Sequence, residues 1–145
     1  MGSEQSMDIK TIIDDFAFLD DWEDRYRYVI ELGKALEPLA ADKHDDTHKV
    51  PGCVSQVWLD TAVYEQDGVP HVRFVGDSDA LIVRGLIAIL IALYSNRPAQ
   101  EIRDTDAVPV LRQLGLDEHL SQQRSNGLRS MVARMQAEAE SALAG

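Results

Sequence analysis

The chain has one cysteine, Cys53, and this residue follows a Pro-Gly pair in the stretch KVPGCVSQVWLD. Pro51 and Gly52 predict a sharp turn, because proline fixes φ and glycine reaches backbone angles that other residues avoid. A cysteine beside a turn can present its thiol at the surface. A lone cysteine is also commonly a small, buried and inert side chain. Both interpretations stay open from the residues alone.

Cysteine hydrolases pair the thiol with a base and orient that base with a third group. The chain offers His44, His48, His71 and His119 as bases, and none of them stands in a hydrolase signature. A hydrolase is therefore not favoured, although residues distant in sequence can meet in the fold.

A metal site is a second chemistry that the same segment could support. The stretch HDDTHKVPGC places His44 and His48 before Cys53, with acidic neighbours. Zinc binds imidazole and thiolate ligands, but this spacing matches no recognised zinc pattern. The alternative is a polar loop whose histidines are solvated.

A third chemistry needs no base beside the thiol. The outer sulfur of a partner's persulfide is already activated toward a thiolate, as in thiol–disulfide exchange. A loop thiol with an ordinary pKa could accept this sulfur if docking aligns the two sulfur atoms. This chemistry explains a single cysteine on a loop without catalytic neighbours.

Composition narrows the class of protein. The formal charge of -11 over 145 residues disfavours a nucleic-acid partner, because an acidic surface repels phosphates. One cysteine excludes an intramolecular disulfide and suits the reducing cytoplasm. The longest apolar run, residues 80–94, contains Arg84 and is too short to span a bilayer, and the N-terminus lacks a signal peptide. We expect a cytoplasmic monomer with one domain over residues 7–145, preceded by a disordered or artificial leader at residues 1–6.

The elements that would position Cys53 follow from hydrophobic periodicity and turn residues. A hairpin is predicted from strands 54–64 and 69–75, joined by EQDG, with Cys53, Ser55, Val57 and Leu59 on one face. A buried helix over residues 80–94 should be capped by Asp77 or Ser78. The other helices are predicted at residues 8–19, from Asp20 or Asp21 to near Pro38, at 99–103, at 108–114, and from 121–125 onward. The fold class is α+β, a small antiparallel β-sheet flanked by several helices.

Four blocks in this order and spacing resemble the SufE family of sulfur acceptors. They are FLDDWEDRYRYVIELGKALEPL, VPGCVSQVWLD, GDSDALIVRGLIAILIALYSNRPAQEI and LGLDEHLSQQRSNGLRSMVARMQ. The resemblance covers nearly the whole chain, from about residue 9 to 137. It implies a single SufE/NifU-like domain, a fold shared with U-type scaffolds that hold a cluster on several cysteines. Val54 departs from the family, which often has glutamine at that position.

The resemblance implies a sulfur carrier without a cofactor, which is not an enzyme on its own. Its partners would be a pyridoxal-phosphate-dependent cysteine desulfurase, SufS- or CsdA-like, which it stimulates, and an iron–sulfur scaffold. Cys53 would be the persulfide acceptor. The remaining residues that the resemblance places around it, as loop-shaping or partner-binding residues, are Gly52, Gln56, Asp79, Arg124 and Asn126.

Several of these residues also have plain structural interpretations. Arg124 could be an exposed charge at a helix start, where the helix dipole calls for an anionic neighbour, and Asp79 could be an acid in a first helical turn. Trp58 is expected in the core. Two other functions compete with the sulfur carrier: a metal-binding module on His44, His48 and Cys53, and an adaptor whose cysteine is incidental.

Overall fold

The computed structural model describes residues 8–53 and 55–145. The predicted leader at residues 1–6 and Val54, the predicted first residue of the first strand, lie outside these residues. A three-stranded antiparallel sheet in the order β1-β2-β3 packs with seven α-helices of the described ranges. The strands are β1 (Val57–Gln66), β2 (Val69–Ser78) and β3 (Arg97–Pro98). The helices are α1 (Ile9–Phe18), α2 (Trp22–Lys34), α3 (Leu81–Tyr94), α4 (Ala99–Asp104), α5 (Val108–Gln113), α6 (Leu116–His119) and α7 (Gln122–Ala144).

The predicted α+β class and the hairpin are confirmed. β1 and β2 pair over ten residues each, from Val57 opposite Ser78 to Gln66 opposite Val69. Asp67 and Gly68 form the turn with φ of 56° and 77°, the left-handed pair that a two-residue hairpin turn requires.

The predicted start of the first strand was wrong by three residues. Pairing with β2 begins at Val57, while the backbone of Gln56 bonds to Asp79 instead. The alternation therefore holds for Val57 and Leu59, which are buried, but does not extend back to Cys53 and Ser55. The cysteine lies on a separate loop.

Helix α3 is the centre of the core, as its apolar sequence predicts. Nine of its residues are buried, among them Leu86, Ile89 and Leu90, and it packs against both α2 and the sheet. Its predicted cap was wrong: the N-cap is Ala80, which has no capping side chain. Ser78 Oγ accepts from Ala80 N instead, and Asp77 bonds elsewhere.

Helices α2 and α7 begin where the sequence predicts. Asp21 caps α2 by accepting from Glu23 N and Asp24 N. This helix ends at Lys34, four residues before Pro38. Ser121 caps the long α7, whose Leu128, Met131 and Met135 enter the core. Within the described residues, no helix combines the length and the apolar character needed to cross a membrane.

Candidate functional site

The loop that carries Cys53 rises from a hydrogen-bonded stem. Val50 N donates to Val57 O at 2.8 Å, and Leu59 N donates to His48 O at 2.8 Å. The residues before the loop are thus hydrogen-bonded to the start of β1, which follows the loop. The loop is short, and its base is part of the sheet edge.

Gly52 gives the loop its sharp turn, as predicted. Its φ is +89°, a left-handed conformation that strains other residues. A Cβ at this position would also lie 2.6 Å from Ser130 Oγ on α7. Glycine is therefore required here both by backbone conformation and by the approach of the loop to the helix.

The thiol of Cys53 is half-buried against α7. Sγ donates to Gly127 O at 3.6 Å, and a Cβ on Gly127 would stand 3.4 Å from Sγ. The sulfur packs on the hydrophobic core rather than pointing into water. Both of the opening interpretations were partly right, because the cysteine is on a turn and its side chain faces inward.

A cavity of about 280 Å³ opens beside the sulfur. Its floor is apolar, formed by Val83 and Leu86 of α3 and Met131 of α7. Arg124 and Cys53 also line it. The cavity is large compared with one sulfur atom, so a persulfide on Cys53 has room within it.

Burial raises the pKa of the Cys53 thiol above its ordinary value. Desolvation disfavours the thiolate, and no charged neighbour contributes to the shift. The resting protein therefore holds a protonated thiol of low reactivity near neutral pH.

We expect Cys53 of the folded protein to react with iodoacetamide several-fold more slowly at pH 8 than it does in the urea-unfolded chain. The rate should rise with pH about a midpoint above that of the unfolded chain, because only the thiolate reacts. Mass spectrometry of quenched samples across a pH series gives both midpoints. Equal midpoints and equal rates would contradict the burial of the thiol.

The four histidines do not serve as a base for this thiol. In residues 8–53 and 55–145, Sγ makes no hydrogen bond with an imidazole. His71 Nδ1 lies 2.9 Å from Val69 O, and His119 stacks on Trp22 with its ring centroid 3.8 Å away. The described site therefore has no hydrolase dyad.

The proposed metal ligands are held apart by other partners. His44 Nε2 lies 2.8 Å from Asp77 Oδ2, and this hydrogen bond raises the pKa of His44. His48 Nδ1 lies 2.7 Å from Asp45 Oδ1. Nowhere in the described part of the chain do three or more His, Cys, Asp or Glu side chains form a group that could hold a metal ion. The set of His44, His48 and Cys53 is not assembled.

Gln56 and Asp79 meet at the downstream end of the loop. Gln56 N donates to Asp79 Oδ1 at 3.0 Å, and Asp79 N donates to Gln56 O at 3.3 Å. The interpretation of Asp79 as an acid in a first helical turn was wrong, because α3 begins at Leu81 and the Asp79 side chain bonds to the loop instead. The two residues form a tether between the loop and the start of α3.

Arg124 and Asn126 stand on the first turns of α7, near the thiol but with different surroundings. Arg124 lines the cavity, and no acidic side chain of the described ranges ion-pairs with it. The anionic neighbour expected from the helix dipole is therefore not supplied by those residues. Asn126 Oδ1 accepts from Gln122 and Arg129, so its side chain bonds along its own helix.

Sequence reasoning missed the part of α7 that supports the loop. Gly127 contacts Cys53, Ser130 faces Gly52, and Arg134 bonds to the carbonyl of Lys49. The three helix residues follow a spacing of three and four, which marks one helix face. That spacing was visible in the sequence, but its partner could not be read from it. Trp58, expected in the core, is only half-buried and meets His44 edge-on.

Comparisons with known proteins agree with this fold. The model of the SufE family, described as an Fe-S metabolism associated domain, matches residues 10–139. An uncharacterized SufE-like protein of Rhizobium etli is 60% identical over 129 residues, covering 89% of this chain and 87% of its own. One of Rhizobium meliloti is 54% identical over 132 residues, covering 91% and 94%.

A solved structure supports the fold alone. The solution structure of a hypothetical protein from Thermus thermophilus superposes with a TM-score of 0.73 at 19% identity, over 94% of this chain and 96% of the other. The family match and the identities to the two rhizobial proteins establish the family of this chain, since they span nearly its whole length. The chain belongs to the SufE family, whose domain is associated with iron–sulfur metabolism.

Proposed function

We propose that this protein is a sulfur carrier that accepts sulfane sulfur on Cys53 from a pyridoxal-phosphate-dependent cysteine desulfurase and delivers it to an iron–sulfur scaffold. Membership of a family associated with Fe-S metabolism supports this role. The observation that carries it is the position of the thiol, which lies on a short turn with its sulfur beside a partly apolar cavity. This arrangement suits a sulfur that must be presented to partners and protected between them.

The proposed transfer is an exchange between sulfur atoms without net oxidation. The Cys53 thiolate attacks the outer sulfur of the desulfurase persulfide, and a new S–S bond forms at Cys53. The S–S bond of the desulfurase breaks, and its cysteine leaves as a thiolate that takes up the proton released by Cys53. Attack of a scaffold thiolate on the Cys53 persulfide repeats the step in the next protein.

Docking has to change the surroundings of the thiol before this reaction can occur. The raised pKa keeps Cys53 protonated in the cavity, and contact with Gly127 holds it inward. Movement of the loop out of the cavity removes the desolvation and restores an ordinary pKa. The resting protein is then protected from oxidants, and its reactivity appears in the complex.

The other proposed residues act on the loop or on the surface beside it. Gly52 permits the turn, and Gln56 with Asp79 tethers the downstream end. Arg124 is exposed, lines the cavity and has no acidic partner among the described residues, which suits contact with the desulfurase. Asn126 orients the same turn of α7 through Gln122 and Arg129.

Stimulation of a desulfurase tests the proposal. We expect alanine release from cysteine by a SufS- or CsdA-like enzyme to rise several-fold as this protein is added and then to saturate. The physical reason is that removal of the persulfide frees the desulfurase for another turnover. The assay is run with both desulfurase types. Turnover unchanged by the protein with both types would contradict the proposed function.

A further inference from the structure

The segment before Cys53 is anchored from α7 by one side chain. Arg134 Nη1 donates to Lys49 O at 3.3 Å, and Nη2 donates to Thr47 O at 3.3 Å. Nε donates to Glu138 Oε2 at 3.0 Å, which fixes the plane of the guanidinium. The Arg134 side chain is only 26% exposed, whereas its acceptor residues Thr47 and Lys49 are exposed. A planar guanidinium can hold two carbonyl oxygens at once, which an ammonium group does less well.

The loop runs antiparallel along this face of α7. Arg134 bonds at Lys49, Ser130 faces Gly52, and Gly127 contacts Cys53. Each contact further along the loop lies one turn closer to the start of the helix. The first contact is made by a long charged side chain, and the other two are close approaches to small residues. Of these three helix residues, Arg134 is thus the one that contacts the stem, upstream of the turn and the cysteine.

The stem sets the length of the arm that carries the thiol. Val50 N is bonded to Val57 O at 2.8 Å, so the upstream arm that can move without breaking this bond runs from Val50 to Cys53. Three Cα steps separate Val50 from Cys53, which allows a reach of about 10 Å when extended.

Residues 47–49 are held twice, by the bond from Leu59 N to His48 O and by the two bonds from Arg134. Loss of the Arg134 bonds leaves the backbone bond as the only one of these restraints, and opening of that bond as well would about double the length of the arm.

We propose that Arg134 is a positioning residue for sulfur transfer, which fixes the upstream end of the Cys53 loop so that the thiol moves as a short arm about Val50. The consequence for transfer rests on the proposed function. Anchoring limits the number of conformations that must be ordered when the two sulfur atoms align. Arg134 acts through the backbone of Thr47 and Lys49 and does not touch the sulfur.

The test compares Arg134→Ala and Arg134→Lys with the wild-type protein by three measurements. Hydrogen exchange of the Val50 amide should accelerate at least about tenfold in Arg134→Ala, because its bond to Val57 O opens more often. Alkylation of Cys53 should accelerate several-fold. The maximal rate of sulfur loading from a desulfurase should fall about fivefold at an unchanged half-saturating concentration, because alignment costs more entropy. In all three measurements, Arg134→Lys should give values between those of the wild type and Arg134→Ala.

Two controls separate the anchor from general effects. Glu138→Gln removes the charge of the ion pair, but its amide oxygen can still accept from Arg134 Nε and keep the guanidinium in plane. Both bonds to the loop should then persist, and the three measurements should stay close to wild type. Arg112→Ala removes one positive charge and a surface ion pair with Asp117 on another helix, and it should change none of them. Thermal unfolding reports whether each variant is folded. If Arg134→Ala does not fold, the comparison is made with Arg134→Lys alone.

The outcomes distinguish this proposal from the proposed function. Unchanged exchange at Val50 and unchanged alkylation in both variants would overturn the anchor, whatever the loading rate. A higher half-saturating concentration with an unchanged maximal rate of loading would make Arg134 a docking residue. This result would also overturn the proposal. If the wild-type protein accepts no sulfur, the proposed function fails, while exchange and alkylation still decide whether Arg134 holds the stem.

Discussion

Replacement of Cys53 by serine is expected to abolish sulfur acceptance while the protein remains folded. A hydroxyl is not ionised near neutral pH and does not form a persulfide, so loading should fall below about one hundredth of the wild-type rate. The substitution keeps the size of a half-buried side chain and leaves Gly127 O as a hydrogen-bond acceptor. The free energy of unfolding should therefore change by less than about 1 kcal/mol.

Desulfurase turnover and thermal unfolding of the same sample measure both parts of this expectation. Cys53→Ala is the matched variant, because it removes the thiol without adding a polar group. Both variants should fail equally to load sulfur. A serine variant that stimulates the desulfurase as strongly as the wild type would favour the adaptor with an incidental cysteine.

Replacement of Gly85 by alanine should destabilise the protein, although it improves helix propensity. Gly85 lies where α3 crosses α2, and a Cβ there would overlap the carbonyl oxygen and Cγ1 of Val29. Gly33 faces it from α2, with its own hypothetical Cβ 2.7 Å from Gly85 N. Alanine in a helix is favoured by about 1 kcal/mol, but forced separation of packed helices costs about 1–3 kcal/mol or more. We expect a net loss of about 1 kcal/mol or more.

Urea unfolding of the wild type and the variant measures this difference. Gly68→Ala is the control, because a Cβ at Gly68 meets nothing within 4 Å. Its φ of +77° should still cost about 1 kcal/mol in the left-handed conformation. Stabilisation by Gly85→Ala would mean that propensity decides and that the two helices are not closely packed.

The elements with strong local patterns were predictable from the sequence. The apolar run of α3, the stripe of α7 and the Asp67-Gly68 turn each carry their own periodicity or turn chemistry. Strand β3 is only two residues long and pairs with His71 and Val72, so it has no pattern of its own. The start of β1 was misplaced because the predicted alternation was carried back from Val57 through Ser55 to Cys53. The backbone of Gln56 bonds to Asp79 there, and this pairing is not visible in the local pattern.

The position of Cys53 beside a turn was predictable from the sequence, whereas the helix residues that contact the loop were not. Cys53 and Gly52 are recognisable from residue type and the turn. The inward direction of the thiol depends on Gly127, which is 74 positions away in the chain. Arg134 is 85 positions from Lys49, and no local pattern pairs a helix arginine with a distant carbonyl. Pairings of this kind are set by how α7 packs in the folded chain.

The most direct test of the sulfur carrier is the intact mass of the protein after incubation with a cysteine desulfurase, pyridoxal phosphate and cysteine. We expect the mass to increase by one or more sulfur atoms, the increase to be absent in Cys53→Ser, and a reductant to remove it. An unchanged mass with both SufS- and CsdA-like enzymes, or an increase that persists in Cys53→Ser, would contradict acceptance of sulfur at Cys53.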